Sequence, residues 1–185
     1  MENNIQFGFI GAGNMATAII EGMLKSNLFL SSNIHVSHPS AIKSKKYSHL
    51  NLASEIADNQ HIIKTCDVII LCVKPQILNY VCEKFKDLLN SDKHLIVSIC
   101  AGIDLNKLNG ILNNNKEVSN MKIVRCTVNT AALIGSSCSV FSQMNLNEHD
   151  KSIVSKLLSS VGPCYGECKD SDQDAAMAVS SCNFF

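Results

Sequence analysis

The chain has 185 residues, equal numbers of basic and acidic side chains (16 each), and a hydrophobic content of 46%. This length suits one domain, or one domain with a fragment of a second, and the hydrophobic content suffices for a packed core. A chain with zero net charge lacks the long-range electrostatic field of a nucleic-acid-binding protein, so we expect no nucleic-acid partner. We expect no membrane span, because Lys25, Asp67 and Lys74 interrupt the apolar stretches.

The chain has nine cysteines, and their positions in the sequence indicate the redox compartment. Cys72, Cys100 and Cys126 fall inside apolar, strand-like runs, which is typical of buried thiols in a reducing compartment rather than of a disulfide framework. No basic segment precedes the first apolar run, so we expect no secretory or transit signal and a cytoplasmic protein. We also expect no metal site, because Cys164 and Cys168 lack a second ligand pair at zinc spacing.

The N-terminal stretch predicts a strand over residues 5–11 and a helix over residues 14–25. Between them, Gly11-Ala12-Gly13-Asn14-Met15-Ala16 reads GxGxxA, a pattern typical of dinucleotide binding. Gly11 allows the tight turn, and Gly13 lets backbone N–H groups approach a diphosphate at the positive end of the helix. The alternative is a glycine-rich turn that binds nothing.

A second strand, predicted over residues 33–37, ends where a dinucleotide fold meets the adenosine ribose. An Asp or Glu at this place would hold the 2′-hydroxyl and repel a 2′-phosphate, but none is present. Ser37, His38 and Ser40 offer donors instead. Three lysines follow: Lys43, Lys45 and Lys46. Hydroxyl and ammonium groups suit a phosphate dianion, so we favour NADP(H) over NAD(H), which stays possible. The alternative is a lysine-rich helix face exposed to solvent.

The rest of the chain alternates strands with helices. Strands are predicted at residues 50–53, 67–73, 94–100, 121–126, 137–142 and 164–168. Helices are predicted at residues 59–65, 81–89, 104–112 (with Asp104 as N-cap) and 147–161. This alternation implies parallel pairing and right-handed crossovers. We therefore predict a Rossmann-like, doubly wound α/β fold, with a mostly parallel sheet and helices on both faces.

Open α/β sheets bind ligands at the carboxyl ends of their central strands. Residues 67–73 form the clearest buried strand, because a continuous β-branched and apolar run is typical of a strand covered on both faces. Lys74 follows it, either as a cofactor contact or as an ordinary strand-end lysine, and Pro75 stands where the next helix starts. Gly102 follows the next strand, where its missing Cβ would let a nicotinamide ring lie against the backbone.

Five motifs stand in order along the chain. They are Gly8-Phe9-Ile10-Gly11-Ala12-Gly13-Asn14-Met15-Ala16, Asp67 to Val73 with Lys74-Pro75, Ser98-Ile99-Cys100-Ala101-Gly102-Ile103, Arg125-Cys126 with Asn129-Thr130, and Leu157-Leu158-Ser159-Ser160-Val161-Gly162. This ordered set resembles the N-terminal domain of the Δ1-pyrroline-5-carboxylate reductase family. That family reduces the cyclic imine of pyrroline-5-carboxylate to proline with hydride from NADPH or NADH.

The resemblance implies a cofactor site and leaves the catalytic residues unassigned, because the chemistry is mostly that of the cofactor. It places the diphosphate at residues 10–15, the adenosine ribose or its phosphate near His38 and Asn59, and the nicotinamide beside residues 100–102. With Ser37, the expected contacts are Ile10, Gly11, Ala12, Gly13, Asn14, Met15, Ser37, His38, Asn59, Cys72, Val73, Lys74, Pro75, Cys100, Ala101 and Gly102.

The chain departs from the family pattern at three places. The family's Asn-Thr-Pro appears as Asn129-Thr130-Ala131, and its Arg-Glu-Gly appears as Gly135-Ser136-Ser137. The family's turn into a second, helical domain corresponds to residues 180–185, where the chain stops. We therefore expect a dinucleotide-binding domain at 1–168 and the start of a truncated helical domain at 169–185. In the family that helical domain forms the dimer, so a homo-oligomer is expected of the complete protein and stays open for this chain.

Three functions are compatible with these features. The first is an NAD(P)H-dependent pyrroline-5-carboxylate reductase of proline synthesis, weakly active or inactive as this shortened chain. The second is a non-catalytic NADP(H)-binding module, or an incomplete subunit that joins a full-length partner. The third is another Rossmann-type NADP-dependent reductase, such as a 6-phosphogluconate-like or F420-type enzyme, against which Lys74-Pro75 and the stretch 125–130 argue.

Overall fold

The structure is a computed structural model that describes residues 5–39, 45–56, 58–113 and 120–181. The strands in these residues are β1 (Phe7–Ile10), β2 (Ile34–Ser37), β3 (Ser54–Ile56), β4 (Val68–Leu71), β5 (Leu95–Ser98), β6 (Lys122–Thr127), β7 (Ser139–Met144) and β8 (Cys164–Glu167). The helices are α1 (Asn14–Lys25), α2 (Asn59–Thr65), α3 (Pro75–Glu83), α4 (Leu105–Leu112), α5 (Glu148–Ser159) and α6 (Gln173–Ser181). Five short 3₁₀ segments join them in the described residues: Ser31–Asn33, Lys45–Leu50, Lys86–Leu88, Thr130–Ile134 and Asp170–Asp172.

All eight of these strands form one sheet, in the order β3-β2-β1-β4-β5-β6-β7-β8. β1 pairs in parallel with β2 on one side and with β4 on the other, so that Phe9 lies between Val36 and Ile70. Alternate side chains of the sheet enter two separate cores, since successive residues of a strand point to opposite faces. Phe9 packs into one core with α1 and α5, and Ile10 packs into the other with α2, α3 and α4. The predicted doubly wound α/β fold is therefore confirmed.

Parallel pairing, predicted from the alternation along the whole chain, is wrong at one place. β7 runs antiparallel to β6, whereas the other neighbouring strands pair in parallel. The connection between β6 and β7 contains only the 3₁₀ segment Thr130–Ile134, closed by Gly135 in the left-handed region with φ +70°. A parallel return usually needs a crossover helix, and the residues between β6 and β7 contain only this short 3₁₀ segment.

Two predicted elements are displaced. The third strand lies at Ser54–Ile56 instead of residues 50–53, because the 3₁₀ segment reaches Leu50 and Asn51 takes a φ of +50°. The helix predicted at residues 81–89 begins at Pro75 and ends at Glu83, and a separate 3₁₀ segment follows it. Apolar residues continue through both segments, so their spacing alone did not show the break. Ser40, Lys43 and residues 182–185 lie outside the described residues.

The predicted Asp104 cap is confirmed, and the structure adds a cap at Asn147 that the sequence analysis did not predict. Asp104 accepts a hydrogen bond from the Lys107 N–H at 2.7 Å and starts α4. Asn147 accepts one from the Asp150 N–H at 2.9 Å, and the Asp150 carboxylate accepts one from the Asn147 N–H in return. Each cap satisfies backbone N–H groups that have no partner inside the helix. These local contacts fix where α4 and α5 begin.

Arg125, the only arginine in the sequence, is buried in β6 with 2% of its surface exposed. Its guanidinium pairs with Asp170 at 3.3 Å and with Asp174. The Asp170 carboxylate also accepts hydrogen bonds from the Ser142 hydroxyl at 2.8 Å and from the Leu105 N–H at 3.0 Å. One carboxylate therefore joins β6, β7 and the first turn of α4.

Gln173 attaches the start of α6 to the same strand. Its amide nitrogen donates to the Arg125 carbonyl oxygen at 3.2 Å, and its amide oxygen accepts from the Thr127 hydroxyl at 2.6 Å. Farther along, the Asn129 side chain donates to the Ser180 carbonyl oxygen at 2.8 Å. α6 is thus held on the sheet at both ends by polar groups of β6 and the turn after it.

Substituting Asp170→Asn should lower the free energy of unfolding by roughly 2–3 kcal/mol at neutral pH, because it removes a charge that balances the buried Arg125 guanidinium. Urea denaturation measures this loss. The matched control is Asp172→Asn, which makes the same change at an exposed residue of the same segment. Equal stability of the two variants would contradict the structural role of Asp170.

The pH dependence of stability provides a second readout of the same carboxylate. Burial by itself raises the pKa of Asp170, but the hydrogen bonds from Leu105 and Ser142 and the Arg125 charge outweigh it and leave the pKa below its usual value. A depressed folded-state pKa adds stability above the unfolded-state pKa of about 4, and that stability is lost as the pH falls further. The Asp170→Asn variant should therefore lose less stability than the wild type on acidification below about pH 4.

Candidate functional site

Two glycines build the turn between β1 and α1, under different constraints. Gly11 has a φ of +107°, and a Cβ placed on it would lie 2.5 Å from the Cys72 carbonyl oxygen. The Gly11 N–H donates to the Ser37 carbonyl oxygen at 2.9 Å, so the turn contacts both neighbouring strand ends. At Gly13, by contrast, an added Cβ would meet nothing within 4 Å. Gly11 is therefore required by the protein itself, whereas Gly13 leaves open space in front of the helix.

The N-terminus of α1 carries no capping side chain. Gly13 is the N-cap, no side chain bonds to this end, and the first turn contains no acidic residue. The N–H groups of a first helical turn have no partner within the helix, and their dipoles favour an anion. Asn14 and Met15, both predicted cofactor contacts, lie in this turn. The end of α1 next to the open space is therefore suited to a phosphate group.

A cleft of about 280 Å³ lies at the carboxyl ends of β1, β2 and β4. It is lined by Ile10, Gly11, Ala12, Gly13, Ser37, His38, Pro39, Asn59, Cys72, Val73, Lys74, Ile77 and Val81. Ten of the sixteen predicted contacts are among these residues. The geometry thus brings together the glycine turn, the end of β2 and the end of β4, as parallel pairing on both sides of β1 requires.

The other six predicted residues lie outside the lining of this cleft. Asn14 and Met15 are in the first turn of α1, and Pro75 is the first residue of α3. The remaining three, residues 100–102, follow β5, the strand beside β4. The Cys100 thiol donates to the Val73 carbonyl oxygen at 3.3 Å, so the two strand ends are in contact. Residues 101 and 102 are exposed, and a Cβ at Gly102 would meet nothing within 4 Å.

The polar groups at the β2 end of the cleft are hydrogen-bond donors and an amide, with no carboxylate among the lining residues. The Ser37 hydroxyl is buried and donates to the Asn59 side-chain oxygen at 2.6 Å. This bond orients the Asn59 amide and leaves its nitrogen as the donor side. His38 is half-buried beside it. An end lined in this way favours a negatively charged group over a neutral hydroxyl pair.

Three lining residues, Pro39, Ile77 and Val81, were missed by the sequence analysis. Ile77 and Val81 stand four residues apart on α3, and therefore on one face of that helix. A helix start was expected at Pro75, but helical residues were assigned only over 81–89, so the sequence analysis did not place Ile77 and Val81 on one helix face. Their apolar side chains add a hydrophobic wall to the cleft.

The thiols near the cleft are neutral at physiological pH. Burial raises the pKa of Cys72 well above its ordinary value, and it also raises the pKa of Cys100. Because the thiolate is the reactive form of cysteine, these side chains contribute shape and apolar surface instead of a nucleophile.

Among the described residues, no three His, Cys, Asp or Glu side chains converge as metal ligands. No helix within the described ranges is long and apolar enough to span a bilayer.

The sequence of this chain matches a known protein family and several named relatives. Residues 6–102 match the family described as NADP oxidoreductase, coenzyme F420-dependent. The chain is 30% identical over 181 residues to pyrroline-5-carboxylate reductase of Pisum sativum, with 97% of this chain and 63% of that protein covered. It is 35% identical over 176 residues to pyrroline-5-carboxylate reductase of Pasteurella multocida (strain Pm70), with coverages of 93% and 62%.

A solved structure is similar over the same extent. Plasmodium falciparum pyrroline carboxylate reductase with NADP bound gives a TM-score of 0.81 at 29% identity, covering 97% of this chain and 63% of that one. The resemblance inferred from the five motifs is confirmed by these matches. The chain spans less than two thirds of the length of the relatives that it matches.

Substitution of the two glycines should separate their roles in stability. Gly11→Ala should lower the free energy of unfolding by roughly 2–3 kcal/mol, because the new Cβ meets a backbone oxygen and the φ is strained for any other residue. Gly13→Ala should cost about 1 kcal/mol or less, since its φ of −78° suits alanine and the space is open. Thermal or urea unfolding followed by circular dichroism measures both, and equal losses would contradict this assignment.

Proposed function

We propose that this chain, which belongs to the family of NADP oxidoreductases described as coenzyme F420-dependent, is the cofactor-binding part of a pyrroline-5-carboxylate reductase. The reaction moves a hydride from NAD(P)H to the imine carbon of 1-pyrroline-5-carboxylate and gives L-proline. One observation carries the proposal: the glycine turn presents an uncapped helix end to a cleft shaped by three parallel strand ends. A dinucleotide diphosphate has the charge and size that this end of α1 favours.

The residues present suit the groups of such a cofactor. Backbone N–H groups of residues 13–15 would hold the diphosphate, and Ile77 with Val81 would border the adenine with apolar surface. Ser37, His38 and Asn59 would contact the adenosine ribose or its 2′-phosphate. The stretch 100–102 would lie beside the nicotinamide, because it follows the next strand of the sheet. When bound, NAD(P)H supplies the hydride, so the protein groups here bind and orient it.

We favour NADP(H) over NAD(H) on electrostatic grounds. A carboxylate at the end of β2 would hold a 2′-hydroxyl and repel a 2′-phosphate, but the lining there offers a hydroxyl, an imidazole and an amide. Donors of this kind stabilise a phosphate dianion. The Plasmodium relative is named with NADP bound, which supports the same preference.

The choice of substrate rests on the relatives. The family description names coenzyme F420, whereas the relatives at 30% and 35% identity are named pyrroline-5-carboxylate reductase. We therefore prefer the imine of 1-pyrroline-5-carboxylate as hydride acceptor over the deazaflavin F420. Since the chain covers less than two thirds of those relatives, we infer that further residues complete the substrate side.

We also propose a cytoplasmic protein without a nucleic-acid partner that forms a homo-oligomer when complete. Eight cysteines of the described residues are free thiols, which suits a reducing compartment. The net charge of zero lacks the field that attracts nucleic acids. Val179 exposes 70% of its surface, an apolar contribution suited to an interface in the helical region that we assign to residues 169–185. The domain boundary after residue 168 stays a prediction.

Two measurements test the proposed function. The 185-residue chain should bind NADP+ in isothermal titration calorimetry, and Gly13→Ala should weaken binding at least about tenfold because its Cβ fills the space next to the first-turn N–H groups. NADPH oxidation with pyrroline-5-carboxylate should then appear when the chain is joined to the part of the Pasteurella relative that it does not cover. Binding without turnover in that fusion would favour the non-catalytic module, and no binding at all would refute both functions.

The cofactor preference is tested at His38. His38→Asp places a carboxylate in the cleft beside the expected 2′-phosphate, so NADP+ affinity should fall roughly tenfold or more while NAD+ affinity stays within about twofold. His38→Asn is the matched control, since it removes the imidazole without adding charge. If both variants lose NADP+ affinity equally, the loss comes from the imidazole and the electrostatic explanation is wrong.

A further inference from the structure

A pair of buried hydroxyl groups lies behind the glycine turn. Tyr47, in the segment Lys45–Leu50, is fully buried, and its hydroxyl oxygen is 3.0 Å from the Thr17 hydroxyl oxygen of α1. Thr17 in turn donates its hydroxyl proton to the Gly13 carbonyl oxygen at 3.1 Å. The distance alone leaves the donor of the Tyr47–Thr17 bond open, but because Thr17 uses its single hydroxyl proton on Gly13, we assign Tyr47 as the donor. Two O–H groups therefore point in series toward Gly13.

The carbonyl that receives this series belongs to the same peptide group as the Asn14 N–H. The Gly13 carbonyl oxygen also accepts the Thr17 backbone N–H at 3.1 Å, so two donors hold it toward the body of α1. In a trans peptide the C=O and N–H bonds point in opposite directions. Anchoring the oxygen therefore directs the Asn14 N–H out of the helix end, toward the open space before it.

Glycine at this position makes an external anchor useful. Without a Cβ, Gly13 has more accessible backbone conformations than any other residue would have, and no side chain caps this helix end. Hydrogen bonds in series also polarise one another, so donors on the carbonyl strengthen the N–H of the same peptide group as a donor. Neither Tyr47 nor Thr17 lines the cleft, so any effect on a ligand must pass through Gly13.

We propose that Tyr47 and Thr17 are positioning residues for the cofactor diphosphate, because their hydroxyl relay holds the Gly13–Asn14 peptide with its N–H directed at the anion. This inference rests on the proposed binding of NADP(H) at the glycine turn. Burial raises the pKa of the Tyr47 hydroxyl, so this donor keeps its proton throughout the neutral range. The alternative is that Tyr47 only fills the core formed by α1 and β1 with its ring.

Two ligands separate these roles. NADP+ has a diphosphate, whereas adenosine 2′-monophosphate carries the same adenosine and ribose phosphate without one. Tyr47→Phe keeps the ring and removes the hydroxyl, so NADP+ affinity should fall roughly five- to tenfold while that for adenosine 2′-monophosphate stays within about twofold. Titration calorimetry at one pH and salt concentration measures both dissociation constants. The matched control is Tyr165→Phe, which removes the hydroxyl of an exposed tyrosine on β8.

Thr17 supplies an independent pair of variants, which keeps the test valid if Tyr47→Phe does not fold. Thr17→Ser retains the relay and should keep NADP+ affinity, whereas Thr17→Val breaks it and should reproduce the loss that is specific for NADP+. Equal losses for both ligands, or no loss in the relay variants, would overturn the positioning role. A wild-type chain that fails to bind NADP+ would instead refute the proposed function, and the relay assignment with it.

Discussion

The close approach of the β1 and β4 ends is the constraint on which the rest of the structure depends. The Cys72 N–H donates to the Ile10 carbonyl oxygen at 2.9 Å, and Gly11 passes so near the Cys72 carbonyl that a Cβ cannot fit. The Gly11 N–H donates to Ser37 on the other side. These contacts bring three strand ends together at one turn. The cleft exists because Gly11, in the turn between these strand ends, has no side chain to separate them.

The site and the ion-pair network serve different parts of the sheet. The cleft lies at β2, β1 and β4, where it is lined by the backbone of the glycine turn, by apolar side chains and the neutral Cys72 thiol, and by polar groups at the end of β2. Arg125 and Asp170 lie farther along, at β6 and β7, where they hold α4 and α6 against the sheet. Charged side chains thus attach helices at one side of the sheet, whereas the uncapped N-terminus of α1 faces the cleft at the other. This division suits a domain whose ligand supplies the reactive chemistry.

The sequence predicted the local elements well where one residue type enforces a conformation. The glycine turn, the proline at the start of α3 and the Asp104 cap all lie where their chemistry places them. It failed at the antiparallel β7, where the connection from β6 holds only a 3₁₀ segment, and at the displaced β3, where Asn51 takes a left-handed φ. Ten of the sixteen predicted contacts line the cleft, but Ile77 and Val81 were missed because helical residues were assigned only over 81–89, although Pro75 was expected at the helix start.

By itself, the sequence determined the order of strands and helices, the glycine turn and the absence of a carboxylate at the end of β2. Each of these is a property of adjacent residues. Only the tertiary structure decided that Asp170 and Asp174 neutralise Arg125 and that the Tyr47 hydroxyl lies against Thr17. These partners are separated by 30 to 49 residues along the chain. Packing of helices on a twisted sheet brings them together, and no local pattern encodes which distant side chains will meet.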